Sequence, residues 1–194
     1  MMERTWPTRD DAWQLLCEFT QSESLRKHAL AVEAAMRAYA RRFGEDEERW
    51  AIVGLLHDFD YEMHPDPERH PLEGARILRE RGWPEDIVHA VLCHADYLDV
   101  ERRTPIDRAI YAVDELASFI VAVALVRPHK SIHEVDVAAV RKKMKEKGFA
   151  RAVDREIIVK GAQVLGVDLD EHIAFVIEAL KPVARELGIA GTDA

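Results

Sequence analysis

An adjacent histidine and aspartate, His57-Asp58, are the residues of this chain best suited to chemistry. They follow an apolar run over 51–56 and precede a proline-containing segment. An imidazole and a carboxylate at the end of a buried helix are typical metal ligands, and mixed nitrogen and oxygen donors suit borderline divalent ions. The pair therefore predicts a transition-metal site for manganese, iron, cobalt, nickel or zinc rather than for magnesium alone.

Two further residues fit the same site. His28 neighbours the apolar stripe of a preceding predicted helix, and Asp114 lies within a later apolar one. With the His-Asp pair they supply two imidazoles and two carboxylates, and they leave open positions of the kind that a catalytic metal keeps. A metal of this kind acidifies water and neutralises charge on a phosphoryl oxygen. The four residues therefore favour phosphoester hydrolysis.

A lone histidine, a His-Asp pair and a distant aspartate, in this order, resemble the signature of the HD-domain superfamily of metal-dependent phosphohydrolases. The resemblance covers about 25–124 and implies a helical HD fold with those four residues as metal ligands. His70, which opens a His-Pro-x-x-Gly element, and His94 resemble the extra ligands of the two-metal branches. By this resemblance Asp58 bridges two ions, one bound tightly and a second bound more weakly.

The chain differs from known branches of the superfamily at three points, which limits the branch to which it can be assigned. Phe59-Asp60 follows the pair where HDIG-type members have Ile-Gly, and no GYP motif follows His94. Cys93 stands where two-metal branches often have another histidine. We therefore expect an uncharacterised, HDIG-like subgroup and do not expect cyclic-di-GMP hydrolysis.

The segment after the pair contains candidates for acid-base chemistry and for substrate contact. Asp58, Asp60 and Glu62 are the candidate catalytic carboxylates, and Tyr61 is a candidate to stack on a base. The carboxylates at 60 and 62 equally fit a solvated loop.

Cations further along the chain are candidates to contact substrate phosphate, because guanidinium and ammonium groups bind phosphate oxygens. A basic stretch covers 141–147, and two cations precede it, so the candidates are Arg127, Lys130 and Lys143. A solvated helix face explains the same stretch without any role in the site.

Composition limits the possible partners and location. The chain has 194 residues, a formal net charge of -9 and two cysteines without CxxC spacing. No apolar signal core opens it, and no apolar run approaches the ~20 residues of a membrane span. We expect a cytoplasmic protein without membrane contact or stable nucleic-acid binding, because most of its surface would repel phosphate backbones. The oligomeric state stays open.

The apolar residues follow a helical period throughout, which predicts an all-α protein. We expect a single-domain helical HD-domain fold over 1–194, with the metal-site core at about 22–126 and a helical extension at about 131–188. The segment 59–69, with two prolines and several charges, predicts an exposed loop. In the extension, helices are expected at 134–147, 154–165 and 170–187.

These observations predict a metal-dependent phosphohydrolase that acts on a nucleotide or another small phosphorylated metabolite. Two alternatives stay open: a non-catalytic regulator that binds a metal or ligand, and a di-iron oxygenase on the same scaffold. A nucleotide panel assayed with several metals separates hydrolase from binder. Iron content and oxygen consumption identify an oxygenase.

Overall fold

The computed structural model describes residues 6–192, and within that range the chain is all-helical, as predicted. The α-helices are α1 Arg9–Phe19, α2 Glu23–Phe43, α3 Glu47–Leu56, α4 Leu72–Glu80, α5 Glu85–Cys93, α6 Pro105–Leu125, α7 Val137–Met144, α8 Arg155–Leu165, α9 Leu169–Leu180 and α10 Ala184–Leu187. Short 3₁₀ turns lie at Asp96–Leu98, Ile132–Glu134 and Lys181–Val183. Among the described helices, none combines the length and apolar character that crossing a membrane requires.

Polar caps determine where the site-bearing helices begin. The Ser22 side chain accepts a hydrogen bond from the backbone N–H of Leu25 and starts α2. Thr104 forms a capping box with Asp107, and Pro105 occupies the first turn of α6. Each cap satisfies N–H groups that have no partner within the helix. Serine, threonine and proline are residue types typical of such helix starts.

Close packing of α2 against α3 brings His28 beside His57. A Cβ at Gly54 would lie 2.8 Å from the Cα of Glu33, so only glycine permits this approach. The contact lies five residues beyond His28 on α2 and three residues before His57 on the antiparallel α3. The crossing point therefore determines which residues of the two helices meet at the site.

The extension differs from its predicted boundaries in two places. The helix expected at 134–147 begins at Val137, because the Asp136 side chain accepts the Ala139 N–H and caps it there. The helix expected at 170–187 is interrupted at Lys181–Val183, where Pro182 provides no backbone N–H.

The loop expected to be exposed over 59–69 begins with Phe59 and Asp60, which are both buried.

A buried histidine joins three helices behind the site. His172 of α9 donates from Nε2 to the carbonyl oxygen of Ala112 at 2.9 Å and accepts the Tyr39 hydroxyl at Nδ1 at 2.5 Å. Burial lowers the pKa of His172, so the ring is neutral near pH 7. Both ring nitrogens are thus satisfied in a site without solvent access.

We expect Tyr39→Phe to destabilise the fold, because the Nδ1 of His172 would lose its donor inside the core. An unsatisfied buried acceptor costs about 1–3 kcal/mol in the free energy of unfolding. Urea denaturation at neutral pH measures this loss. Tyr61→Phe, which removes a hydroxyl from an exposed side chain, is the matched control, and equal stability of the two variants would contradict the prediction.

Candidate metal centre

Four side chains from α2, the end of α3 and α6 converge and are termed the first cluster: His28, His57, Asp58 and Asp114. Asp114 Oδ1 lies 3.0 Å from His28 Nε2 and 3.2 Å from His57 Nε2. The two Nε2 atoms are 3.0 Å apart, and Asp58 Oδ2 lies 3.4 Å from each. These separations suit the ligands of one ion.

A second group, termed the second cluster, consists of Asp58, His70 and His94. Asp58 Oδ1 lies 3.1 Å from the Nε2 atoms of both histidines, which are 3.2 Å from each other. Asp58 therefore turns one carboxylate oxygen toward each cluster. This arrangement gives the bridging position that the family resemblance implied for Asp58.

His57 and His94 are oriented by the same local contact. Each follows the last residue of its helix, and each donates from Nδ1 to the carbonyl oxygen three residues earlier. These acceptors are Gly54 at 2.7 Å and Val91 at 2.5 Å. Carbonyls in the last turn of a helix have lone pairs available for such bonds, and the Val91 oxygen accepts the His94 ring in addition to the His94 backbone N–H at 3.4 Å. The bonds leave both Nε2 lone pairs facing the clusters.

The other two histidines are oriented by side chains. His28 Nδ1 lies 2.9 Å from the Ser118 hydroxyl, and His70 Nδ1 lies 2.7 Å from Asp60 Oδ1. Second partners of this kind fix the tautomer of a metal-binding imidazole. All four rings thus offer Nε2, and a divalent transition ion fits this set of imidazole and carboxylate donors.

The electrostatics of the two clusters favour a positive charge. Burial opposes protonation of His28 and His70, but hydrogen bonds to the carboxylates outweigh it and raise the pKa of each to about 9. Burial likewise opposes ionisation of Asp58 and Asp114, yet the neighbouring histidines hold their pKa values below the usual range. The site therefore attracts protons or metal ions.

Asp60 and Glu62 make hydrogen bonds within the protein that the sequence analysis did not predict. Asp60 is buried and accepts the Gly74 N–H at 2.8 Å with its second oxygen. The Glu62 carboxylate accepts the backbone N–H groups of Gln21 and Ser22. Both carboxylates are therefore engaged within the protein, and Asp60 is placed to position His70, while the acid-base role predicted for the two stays a prediction.

Gly74 explains the His-Pro-x-x-Gly element in physical terms. A Cβ at this position would lie 2.9 Å from the Asp60 carboxylate carbon. Glycine thus lets Asp60 reach the backbone N–H and hold His70 at the same time. The spacing of the element is a signal from which the role of Asp60 could have been predicted.

Two exposed tyrosines flank the second cluster. The ring of Tyr61, predicted as a substrate contact, stands edge-on to His70 with centroids 5.3 Å apart. The Tyr97 hydroxyl donates to the carbonyl oxygen of His70 at 2.5 Å. Tyr97 was missed because it lies in a short 3₁₀ turn without a motif.

The predicted phosphate-binding cations are not brought to the clusters. Arg127 and Lys130 follow the end of α6, and eleven residues of helix separate Asp114 from Leu125, which is about 16 Å along the axis. Lys143 Nζ pairs with Glu146 at 2.8 Å and lies over the Phe149 ring. The basic stretch is better explained as a solvated face with local ion pairs.

Comparison with known proteins agrees with this geometry. Residues 25–118 match the family model described as the HD domain. The chain therefore carries an HD domain, the helical domain of a superfamily of metal-dependent phosphohydrolases, and the resemblance inferred from the sequence is confirmed.

Similar curated proteins include two named Ribonuclease Y, from Oleidesulfovibrio alaskensis and Nitratidesulfovibrio vulgaris. Each is 30% identical to this chain over 105 residues. The match covers 54% of this chain but only 20% of each relative, so it spans about a fifth of their length. No solved structure gives a significant match.

We expect Asp60→Asn to weaken the second cluster selectively, because an amide orients and polarises His70 less well than a carboxylate does. Loss of such a partner typically lowers metal affinity about 10–100-fold. Titration of metal-free protein with manganese, followed calorimetrically, should show a weaker second binding event and an unchanged first one. Glu68→Gln, on the same loop but exposed, is the control, and unchanged binding in Asp60→Asn would remove Asp60 from the site.

Proposed function

We propose that this protein is a metal-dependent phosphohydrolase that cleaves a phosphoester of a small phosphorylated compound such as a nucleotide. The observation that carries the proposal is the position of Asp58 between two sets of imidazoles, with one oxygen directed to each. A shared carboxylate is what a centre for two neighbouring ions requires. A lone structural ion would need no such sharing.

The residues of the two clusters would bind the ions, and some of these residues are also exposed to an approaching substrate. When bound, divalent ions supply Lewis-acid chemistry, which neutralises phosphoryl charge and acidifies water. The first cluster contributes two imidazoles and two carboxylates, whereas the second contributes two imidazoles and the shared Asp58. We therefore propose tight binding at the first cluster and weaker binding at the second. Asp58, Asp114 and His28 stay partly exposed, which leaves an approach for substrate.

A cavity beside the first cluster suits the organic part of a small substrate. It measures about 660 Å³, within the range of small-molecule sites. Its lining includes His28 and, on the same helix, Lys27, together with apolar residues of α6 such as Val121 and Leu125. Lys27 pairs with the highly exposed Glu23, so phosphate could replace that partner at little cost.

RNA is a second candidate substrate, favoured by the printed name of the similar proteins. The net charge of -9 weighs against it, because phosphate backbones would meet a mainly negative surface. The relatives are also about five times longer than the matched segment, and their activity belongs to the whole protein. A small substrate is therefore the preferred proposal, and single-stranded RNA belongs in the assay.

We expect Asp58→Ala to reduce hydrolysis to below about a hundredth of the wild-type rate, since both clusters lose a ligand. Metal content should fall while the melting temperature stays close to that of metal-free wild type, because the apolar core holds the fold. Purified protein is assayed with manganese against nucleotides, sugar phosphates and single-stranded RNA. Glu68→Ala is the control.

Other outcomes of this assay distinguish the alternatives. Metal binding without hydrolysis of any phosphoester would favour a non-catalytic regulator. Oxygen consumption by the iron-loaded protein would favour a di-iron oxygenase. Full activity in Asp58→Ala would contradict the proposed site.

We expect Lys27→Gln to raise KM for the best small phosphoester about tenfold and to leave kcat nearly unchanged, because a cation that contacts only the bound phosphate contributes uniform binding. The comparison variant is Lys143→Gln, which removes the cation favoured by the sequence pattern. Its KM should not change. The opposite result would place the phosphate near α7 instead of α2.

A further inference from the structure

A third group of metal-binding side chains lies outside both clusters and contains sulfur. His89 and Cys93 are one turn apart on α5, and Asp107 lies in the first turn of α6. His89 Nδ1 is 3.7 Å from Cys93 Sγ and 3.2 Å from Asp107 Oδ2. Cys93 therefore faces this group and does not replace a histidine of the second cluster.

The separations match the edges of a small metal tetrahedron. Zinc bonds of about 2.3 Å to sulfur and 2.0–2.2 Å to nitrogen or oxygen give edges of about 3.6 Å between sulfur and nitrogen and about 3.4 Å between nitrogen and oxygen. The observed 3.7 and 3.2 Å lie close to both values. All three ligand atoms lie within 4.8 Å of one another, so they can surround one ion.

Burial and charge also suit a divalent ion. Cys93 and Asp107 are almost fully buried, whereas the His89 side chain is 22% exposed and leaves a route from solvent. One thiolate and one carboxylate would neutralise a divalent ion. Burial and Asp107 raise the pKa of the Cys93 thiol to about 12, so the ion has to displace its proton. Because thiolate donors favour zinc among the common divalent ions, this group differs in selectivity from the sulfur-free clusters.

The capping of α6 accounts for only part of this geometry. Asp107 Oδ2 accepts the N–H groups of Arg103 and Thr104, which explains the buried carboxylate. It does not explain why a thiol lies at a metal-ligand distance from the same imidazole. The His89 Nε2 is buried and has no hydrogen-bond partner, so the contacts at Nδ1 are those that hold the ring.

We propose that His89, Cys93 and Asp107 form a thiolate-containing zinc site that ties α5 to the beginning of α6. A water molecule or the Glu101 carbonyl oxygen, 3.8 Å from Sγ, completes the shell. The site is separate from the centre proposed for hydrolysis. Its bound ion would stabilise the segment that carries His94.

Cobalt provides a test that reports only on sulfur. Metal-free protein is titrated with Co²⁺, and the near-ultraviolet thiolate-to-cobalt charge-transfer band is recorded. We expect the band in wild type and in Cys17→Ser, which removes the other cysteine, and its loss in Cys93→Ser. Asp58→Ala should keep the band, so failure of the proposed hydrolase site and failure of this site are distinguishable.

A second measurement protects the test against misfolding of the cysteine variant. Zinc should raise the melting temperature of Asp58→Ala, and His89→Gln in that background should abolish the rise and lower zinc content by one equivalent per chain. His133→Gln is the matched control on an unrelated turn. Absence of the charge-transfer band in saturated wild type, or a band that persists in Cys93→Ser, would overturn the proposal and leave a capping network only.

Discussion

The close approach of four imidazole nitrogens to two carboxylates, of which both clusters share Asp58, is the constraint on which the rest of the site depends. Nε2 atoms lie 3.0 Å apart in the first cluster and 3.2 Å apart in the second. Lone pairs at this distance repel unless positive charge lies between them. Hydrogen bonds to the carboxylates raise the pKa of His28 and His70 to about 9, so protons are favoured at the same positions. Metal binding must therefore release protons, because protons and metal ions compete for the same nitrogen and oxygen atoms.

The helices hold these mutually repelling donors in place through hydrogen bonds to backbone carbonyls and through close packing. His57 and His94 each donate to a carbonyl oxygen in the last turn of the preceding helix, and this bond orients the ring. Gly54 permits the close crossing that brings α2 to α3, and a buried apolar cluster surrounds the crossing. These orienting contacts are all made between groups of the protein itself.

The sequence predicted the helical class and the group of ligand-type residues, because each has a local or motif-based signal. It could not predict the distribution of charge around the site. Arg127 and Lys143 formed an attractive basic pattern, but their positions depend on the length of α6 and on a local ion pair. Ser118 and Tyr97 contact site histidines only through long-range packing. The contact of Asp60 with His70 was not predicted, since the burial of Asp60 is a tertiary property.

At the end of α5, the consecutive residues Cys93 and His94 place a thiol and an imidazole in two different surroundings. Successive side chains on a helix diverge by about 100°, so Cys93 and His94 must face different surroundings. His94 joins the sulfur-free second cluster, and Cys93 joins His89 and Asp107. A histidine in place of Cys93 would face the same direction and could not reach the second cluster without rotating α5. The cysteine at position 93 therefore removes no ligand from the candidate catalytic centre. It changes the neighbouring group around His89 and Asp107 instead.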